Sequence, residues 1–239
     1  MIMQAHRYAI YLAPGEPFRT FGSQWLGRDA DTGTALPHPD RPQAWVDAPA
    51  HYGLHATLKP PFRLAAGTTA PMLDAAARAF AREQAAFAAP LVLRSLRGFL
   101  AWCLDEKSAG ARVTHALADA CVQAFEPFRA PATAGEVARR KPDQLTAAQR
   151  QMLETWGYPY VFDTFKFHIT LTGMLAPAEA EAALARLSDD CRTLLQAPLR
   201  VDGISVFVQP KAGDDFVVGR HYGFDGGVVD GAGTACLEP

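Results

Sequence analysis

A chain of 239 residues that is 49% hydrophobic and 20% charged is long enough and apolar enough to bury a real core, which excludes the disordered and fibrous classes. Its formal net charge of −2 and pI near 6.4 give no general pull toward nucleic acid or an anionic membrane, so duplex nucleic acid and membranes are not expected partners and any phosphate affinity belongs to a local site. Four cysteines, Cys103, Cys121, Cys191 and Cys236, are far apart and form none of the clusters of a zinc or redox site, so they read as reduced thiols.

The N-terminal stretch MIMQAHRYAIYLAPGEPF is interrupted by His6 and Arg7 and reaches Pro14 after a short apolar run. It is too short for a signal sequence or a membrane span, which makes the cytoplasm the expected location. RYAIYLAP (7–14) reads as a strand, and residues 18–53, dense in Gly, Pro and Asp, as a long irregular excursion. LHATLKPPFRL is a short strand stopped by Pro60 and Pro61, followed by an Ala-rich helix entered through Pro71. Residues 89–106 form two strands bent around Arg97-Gly98, and Val113, Leu117, Cys121 and Phe125 mark one face of a helix over 112–128. The polar segment 129–156, with ARRKPDQ and a helix in TAAQRQMLETWG, has no counterpart elsewhere and reads as an insertion. YVFDTFKFHITLTG is then a strand, APAEAEAALARLSDDCRTLLQ a helix, and 197–224 two or three strands with a turn at Lys211–Asp215.

Two of these strands share a motif: GLHATL carries His55-Ala-Thr57-Leu and FHITL carries His168-Ile-Thr170-Leu. Each motif is followed by an Ala-rich helix and then by APL opening a strand, at Ala89 and at Ala197. This repeated order predicts a duplication. The expected fold is α+β, one two-lobed domain over 1–239 with a first half 1–128, the insertion 129–156 and a second half 157–239. Two antiparallel sheets with outer helices would enclose a central cleft about a pseudo-twofold axis.

Side chains alternate along a strand, so His55 projects with Thr57 and His168 with Thr170, while Ala56, Leu58, Ile169 and Leu171 face a core. Two imidazoles and two hydroxyls facing each other across a cleft suit phosphodiester cleavage. One His takes a proton from the attacking group, the other gives one to the leaving oxygen, and the Thr hydroxyls hold nonbridging oxygens. The arrangement requires no metal, and no cofactor is expected.

Two His-x-Thr motifs in a duplicated α+β chain resemble the 2H phosphoesterase superfamily. RYAIYLAP, YGLHATLKPPF and FHITLTG further resemble its branch of bacterial, DUF1045-like proteins found beside phosphonate-degradation genes. The resemblance spans nearly the whole chain. It implies a bilobal fold and metal-independent hydrolysis or ring opening of small cyclic phosphodiesters, with His55 and His168 as the acid/base pair and Thr57 and Thr170 as phosphate ligands. The phosphonate connection makes a cyclic ribose phosphate a candidate substrate. A non-catalytic binder of nucleotides or RNA ends, or a ligase-like transferase using the same residues, are the rival readings, and the sequence is silent on oligomeric state.

Around the motifs, strand parity puts Lys59 on the face of His55 and Lys166 on the face of His168, and Arg63 also flanks. Tyr8, Tyr11, Tyr52, Phe207 and Gln209 are candidate walls for a sugar or base. ARRK (138–141) is either a lid for an anionic substrate or a solvated loop. His51, four residues before His55, sits in a Pro/Gly context that reads as non-helical, which argues against a metal pair.

Overall fold

A computed structural model describes residues 4–239; the first three residues of the N-terminal stretch lie outside them. The strands are β1 (Arg7–Leu12), β2 (Ala56–Phe62), β3 (Phe87–Ala89), β4 (Leu91–Leu96), β5 (Phe99–Leu104), β6 (His168–Thr170), β7 (Leu199–Val201), β8 (Gly203–Gln209), β9 (Val217–Gly223) and β10 (Val228–Asp230). The helices are α1 (Phe18–Leu26), α2 (Asp47–Tyr52), α3 (Ala70–Arg82), α4 (Ala109–Ala124), α5 (Ala134–Arg139), α6 (Ala147–Trp156) and α7 (Pro177–Asp190). None of them is long and apolar enough to cross a membrane.

The class is α+β: one large antiparallel sheet in the order β10-β9-β8-β1-β2-β6-β5-β4, and a small one in which β3 pairs with β7. The order strand, motif strand, helix, short strand, long strand occurs twice, as β1-β2-α3-β3-β4 and as β5-β6-α7-β7-β8. Each repeat gives its last strand to the other, β8 pairing with β1 and β4 with β5, and the repeats meet where β2 pairs with β6. The motif strands therefore lie side by side at the middle of one sheet instead of facing each other across a gap. The APL tripeptides are not equivalent within this symmetry, since Pro90 follows β3 whereas Pro198 precedes β7.

One face of the sheet is the core. Ile10, Leu12, Ala56, Leu58, Trp102, Ile169 and Leu171 are buried there with Leu73, Ala77 and Phe80 of α3, Leu117 and Cys121 of α4, and Leu187 of α7. Burying each large aliphatic side chain contributes about 1.5–3 kcal/mol. The helices begin where the chain supplies caps: the side chains of Thr69 and Ser108 accept from the backbone of Met72 and Ala111, and Thr146 forms a capping box with Gln149. All four cysteines are buried and unpaired.

Three local expectations are corrected. The excursion after β1 is partly helical. Phe18, Trp25 and Leu26 give α1 a buried face, and the Trp25 indole donates to the carbonyl of Leu171 at 2.8 Å, fixing the end of the second motif. His51 does lie on a helix, α2, but its Nδ1 pairs with Asp215 at 2.8 Å. β2 runs through Pro60 and Pro61, because its pairing with β1 carries irregularities between Tyr8/Ile10 and Ile10/Tyr11, where missing N–H donors are tolerated.

Candidate active site

Ala56 pairs with Ile169 in the antiparallel β2–β6 seam, and both side chains are fully buried on the core face. Extending that register by one residue in each direction sets His55 opposite Thr170 and Thr57 opposite His168, all four on the other face. His55 and His168 are then diagonal neighbours, about 7–8 Å apart by sheet geometry. A pseudo-twofold site of alternating imidazole and hydroxyl results, wide enough for one tetrahedral phosphate.

Both imidazoles are oriented by carbonyls. His55 Nδ1 lies 2.9 Å from the oxygen of Gly53 and His168 Nδ1 2.7 Å from that of Lys166. A carbonyl only accepts, so each Nδ1 carries the proton and each Nε2 keeps its lone pair toward the groove. His55 Nε2 lies 3.3 Å from Thr57 Oγ1, which donates to it. Burial pushes His55 down to about 4, with the Gly53 carbonyl working the other way and the proximity of His168 adding to the depression. Burial also lowers His168, opposed by the Lys166 carbonyl. Both rings are thus neutral at pH 7 in the free protein, and the two are electrostatically coupled.

Tyr11, adjacent to Thr57 across β1–β2, stacks on His55 with ring centroids 3.8 Å apart and planes at 18°. Burial raises its pKa well above the ordinary value, so the phenol stays protonated, and among the described residues its hydroxyl has no hydrogen-bond partner. Phe207 stands behind this stack, 5.0 Å from Tyr11. On the other side, Phe99 lies 5.6 Å from His168. Next to Thr57 and His168 opens a cavity of about 480 Å3, walled by Phe99, Tyr158, Tyr160 and Phe165, with Arg97 and Lys166 as its cations. A second opening of about 300 Å3 joins His55, His168 and Thr170 to Tyr52.

Of the remaining candidates, Lys166 lines the larger cavity and is exposed. Lys59 does not reach the groove. The irregularity after Thr57 reverses the alternation, so Leu58 and Lys59 both turn inward; the Lys59 ammonium is buried against the Val122 carbonyl and Glu126, at 2.9 and 2.8 Å. Tyr8, three residues from Tyr11, points to the core face, where its hydroxyl accepts from the backbone of Ala5 and donates to the Cys236 carbonyl. Arg63 is drawn away from the groove by Glu136 and the Pro131 carbonyl. Gln209 is buried and binds Arg7 and the Asp214 carbonyl. Cys103 is paired with His168 across β5–β6, but burial pushes its thiol up to about 11, which leaves it unionised. Among the described residues no group of three His, Cys, Asp or Glu side chains forms a metal-binding set.

Sequence reading missed the aromatic walls Phe99, Tyr158, Tyr160 and Phe165 and, among the cations, Arg97. Arg97 and Gly98 both have positive φ, 49° and 98°, in the tight turn between β4 and β5. A left-handed arginine costs on the order of 1 kcal/mol, and this one lies over Tyr160 at the mouth of the cavity. The Arg-Gly bend was its only signal.

The chain belongs to the family described as "Protein of unknown function (DUF1045)", which matches residues 57–217, including Thr57, His168 and Thr170, with His55 two positions before the matched segment. It is also similar to two proteins named "Ribose 1,5-bisphosphate phosphokinase PhnN". That from Laribacter hongkongensis (strain HLHK9) is 37% identical over 220 residues, and that from Janthinobacterium sp. (strain Marseille) 34% identical over 247. The matches cover 88% and 92% of this chain but only 50% and 51% of those proteins, so the chain spans about half the length of these curated relatives.

Proposed function

We propose that this chain is a phosphodiesterase of the 2H type that hydrolyses a small cyclic phosphodiester by two-histidine general acid–base catalysis, without a metal. The crossed placement of His55, Thr170, Thr57 and His168 on the face of the β2–β6 seam away from the core carries this reading.

In the proposed reaction the phosphoryl group sits between the imidazoles. His55, held neutral by its burial, accepts a proton from water through Nε2 as the water oxygen bonds to phosphorus. His168 gives a proton to the departing ring oxygen as the P–O bond breaks, leaving a sugar hydroxyl and a phosphate monoester. Thr57 and Thr170 donate to the nonbridging oxygens as negative charge gathers there. The incoming phosphate raises the pKa of His168, which readies it as the acid.

The relatives' names point to a substrate. Opening the 1,2-cyclic phosphate of ribose 5-phosphate at the 2-oxygen would give ribose 1,5-bisphosphate, which makes this cyclic ester the first substrate to test and fits a place in phosphonate metabolism. No lysine of this chain follows a glycine, so the chain offers no GxxxxGK[ST] loop for a kinase's nucleotide phosphates. The test is turnover in 18O-labelled water followed by mass analysis of the product. One 18O in the new phosphate monoester supports hydrolysis, whereas product formation without label, dependent on an added alcohol acceptor, would replace hydrolysis by transfer.

A further inference from the structure

Beside the groove, a pocket of about 230 Å3 gathers five arginines: Arg7 of β1, Arg63 just after β2, and Arg129, Arg139 and Arg140 of the 129–156 segment. Carboxylates engage two of them. Arg63 is bound by Glu136, and Arg129 by Glu126 at 2.5 Å. The carboxyl of Glu136, which burial alone would raise, is held down to about 2 by Arg63 and Thr133, so it stays ionised and committed to that pair. Arg7 spends its Nε on Gln209, 2.8 Å away, and its guanidinium lies over Phe216 at 5.4 Å. Arg140 lies over the Tyr158 ring at 4.7 Å. Among the described residues neither Arg139 nor Arg140 makes a salt bridge or side-chain hydrogen bond. Three guanidinium charges thus converge without an anion in a chain whose formal net charge is −2.

The pocket abuts the catalytic groove. Tyr52 lines both this pocket and the opening at His55 and Thr170, and Tyr158, beneath Arg140, is a wall of the cavity beside Thr57 and His168. A guanidinium fixed over an aromatic ring keeps its edge donors free for a second bond, and arginine's planar fork matches phosphate oxygens.

We propose that Arg7, Arg139 and Arg140 bind a second, non-reacting phosphate of the substrate while its cyclic ester occupies the histidine site; this rests on the phosphodiesterase reading above. The 129–156 segment is then the specificity element, because it supplies two of these three arginines. The substrate class narrows to phosphorylated sugar cyclic esters, and unphosphorylated cyclic esters become poor substrates.

The test compares the 1,2-cyclic phosphate of ribose with and without a 5-phosphate, for wild type and for the Arg139→Ala/Arg140→Ala variant, whose altered side chains are exposed and lose no salt bridge or side-chain hydrogen bond, only the Arg140 contact with the Tyr158 ring. The wild type is expected to prefer the 5-phosphorylated ester in kcat/KM, and the variant to lose at least ~10-fold of that preference, chiefly through KM. Equal losses on both esters, or an unchanged preference, would overturn the site. Isothermal titration of ribose 5-phosphate into both proteins decides the matter independently of turnover. Binding weakened about tenfold or more by the substitutions supports the pocket even if no ester is cleaved, which would then count against the phosphodiesterase reading alone. Equal binding, or none to the wild type, rejects the pocket.

Discussion

The ring of Tyr11 lies flat against the imidazole of His55, centroids 3.8 Å apart, while among the described residues the Tyr11 hydroxyl has no hydrogen-bond partner. The ring fixes the imidazole plane, the proposed reaction leaves the hydroxyl to bond a substrate oxygen, and two substitutions separate these roles. Tyr11→Phe keeps the stack and is expected to lower kcat about tenfold with little loss of stability. Tyr11→Ala also removes a buried ring and is expected to cost about 3–5 kcal/mol in urea unfolding as well as most of the activity. Equal activity of Tyr11→Phe and wild type would leave the hydroxyl without a role.

In the proposed reaction the two histidines set a pH window. Below about pH 4 His55 is charged and cannot act as base; above the depressed pKa of His168 the free protein lacks its acid. The kcat/KM profile is therefore expected to be a bell on the acid side of neutrality, with its rising limb near pH 4 and its falling limb below 6.5. The profile of kcat should fall at higher pH, because bound phosphate favours the protonated acid. Stability shifts in a related sense. The unfolded chain takes up a proton on His55 near pH 6.5 and the folded chain only near 4, so stability present above pH 6.5 is lost as the pH falls through this interval, by up to about 3 kcal/mol. Urea midpoints of His55→Asn should depend less on pH across that range than those of the wild type.

Lys59 and Glu126 are a structural pair. Lys59→Met is expected to keep activity within about threefold of wild type and to fold normally, since an apolar chain replaces a buried ion. Glu126→Gln strands the ammonium 2.9 Å from a carbonyl with no counter-charge and is expected to destabilise by about 3 kcal/mol. A large loss of kcat in Lys59→Met would return that lysine to the site.

Gly53 holds the His55 ring through its carbonyl and has φ 73° and ψ 173°, a conformation open essentially to glycine alone. A Cβ there would also meet the Ala30 Cβ at 2.5 Å. Gly53→Ala is expected to lower the melting temperature by several degrees and kcat by at least tenfold, measured by calorimetry and steady-state rates.

The two motif strands were legible because they are written twice: His-x-Thr-Leu fixes which residues face out and which face the core, and the matching helices and strands supply the symmetry; that the two strands pair side by side in one sheet was not, since neither strand's own pattern names its neighbour. Reading Lys59 onto the groove face failed because strand parity holds only until the first bulge, and the irregularity lies immediately after Thr57. Tyr8 and Tyr11, an odd number of positions apart on one strand, could not share a face, and Tyr8 serves the core. The α1 helix was hidden by the Gly and Pro around it, although Phe18, Gly22, Trp25 and Leu26 carry a helical spacing. The arginine pocket has no linear signature, since β1, the end of β2 and the 129–156 segment each bring part of it.

The most direct measurement is the kcat/KM of the 1,2-cyclic phosphate of ribose 5-phosphate in EDTA, for wild type, His55→Ala and His168→Ala. A two-histidine site predicts EDTA-resistant turnover that each substitution lowers by at least ~100-fold, the scale of general acid or base catalysis. Activity abolished by EDTA, or surviving either substitution unchanged, would contradict it.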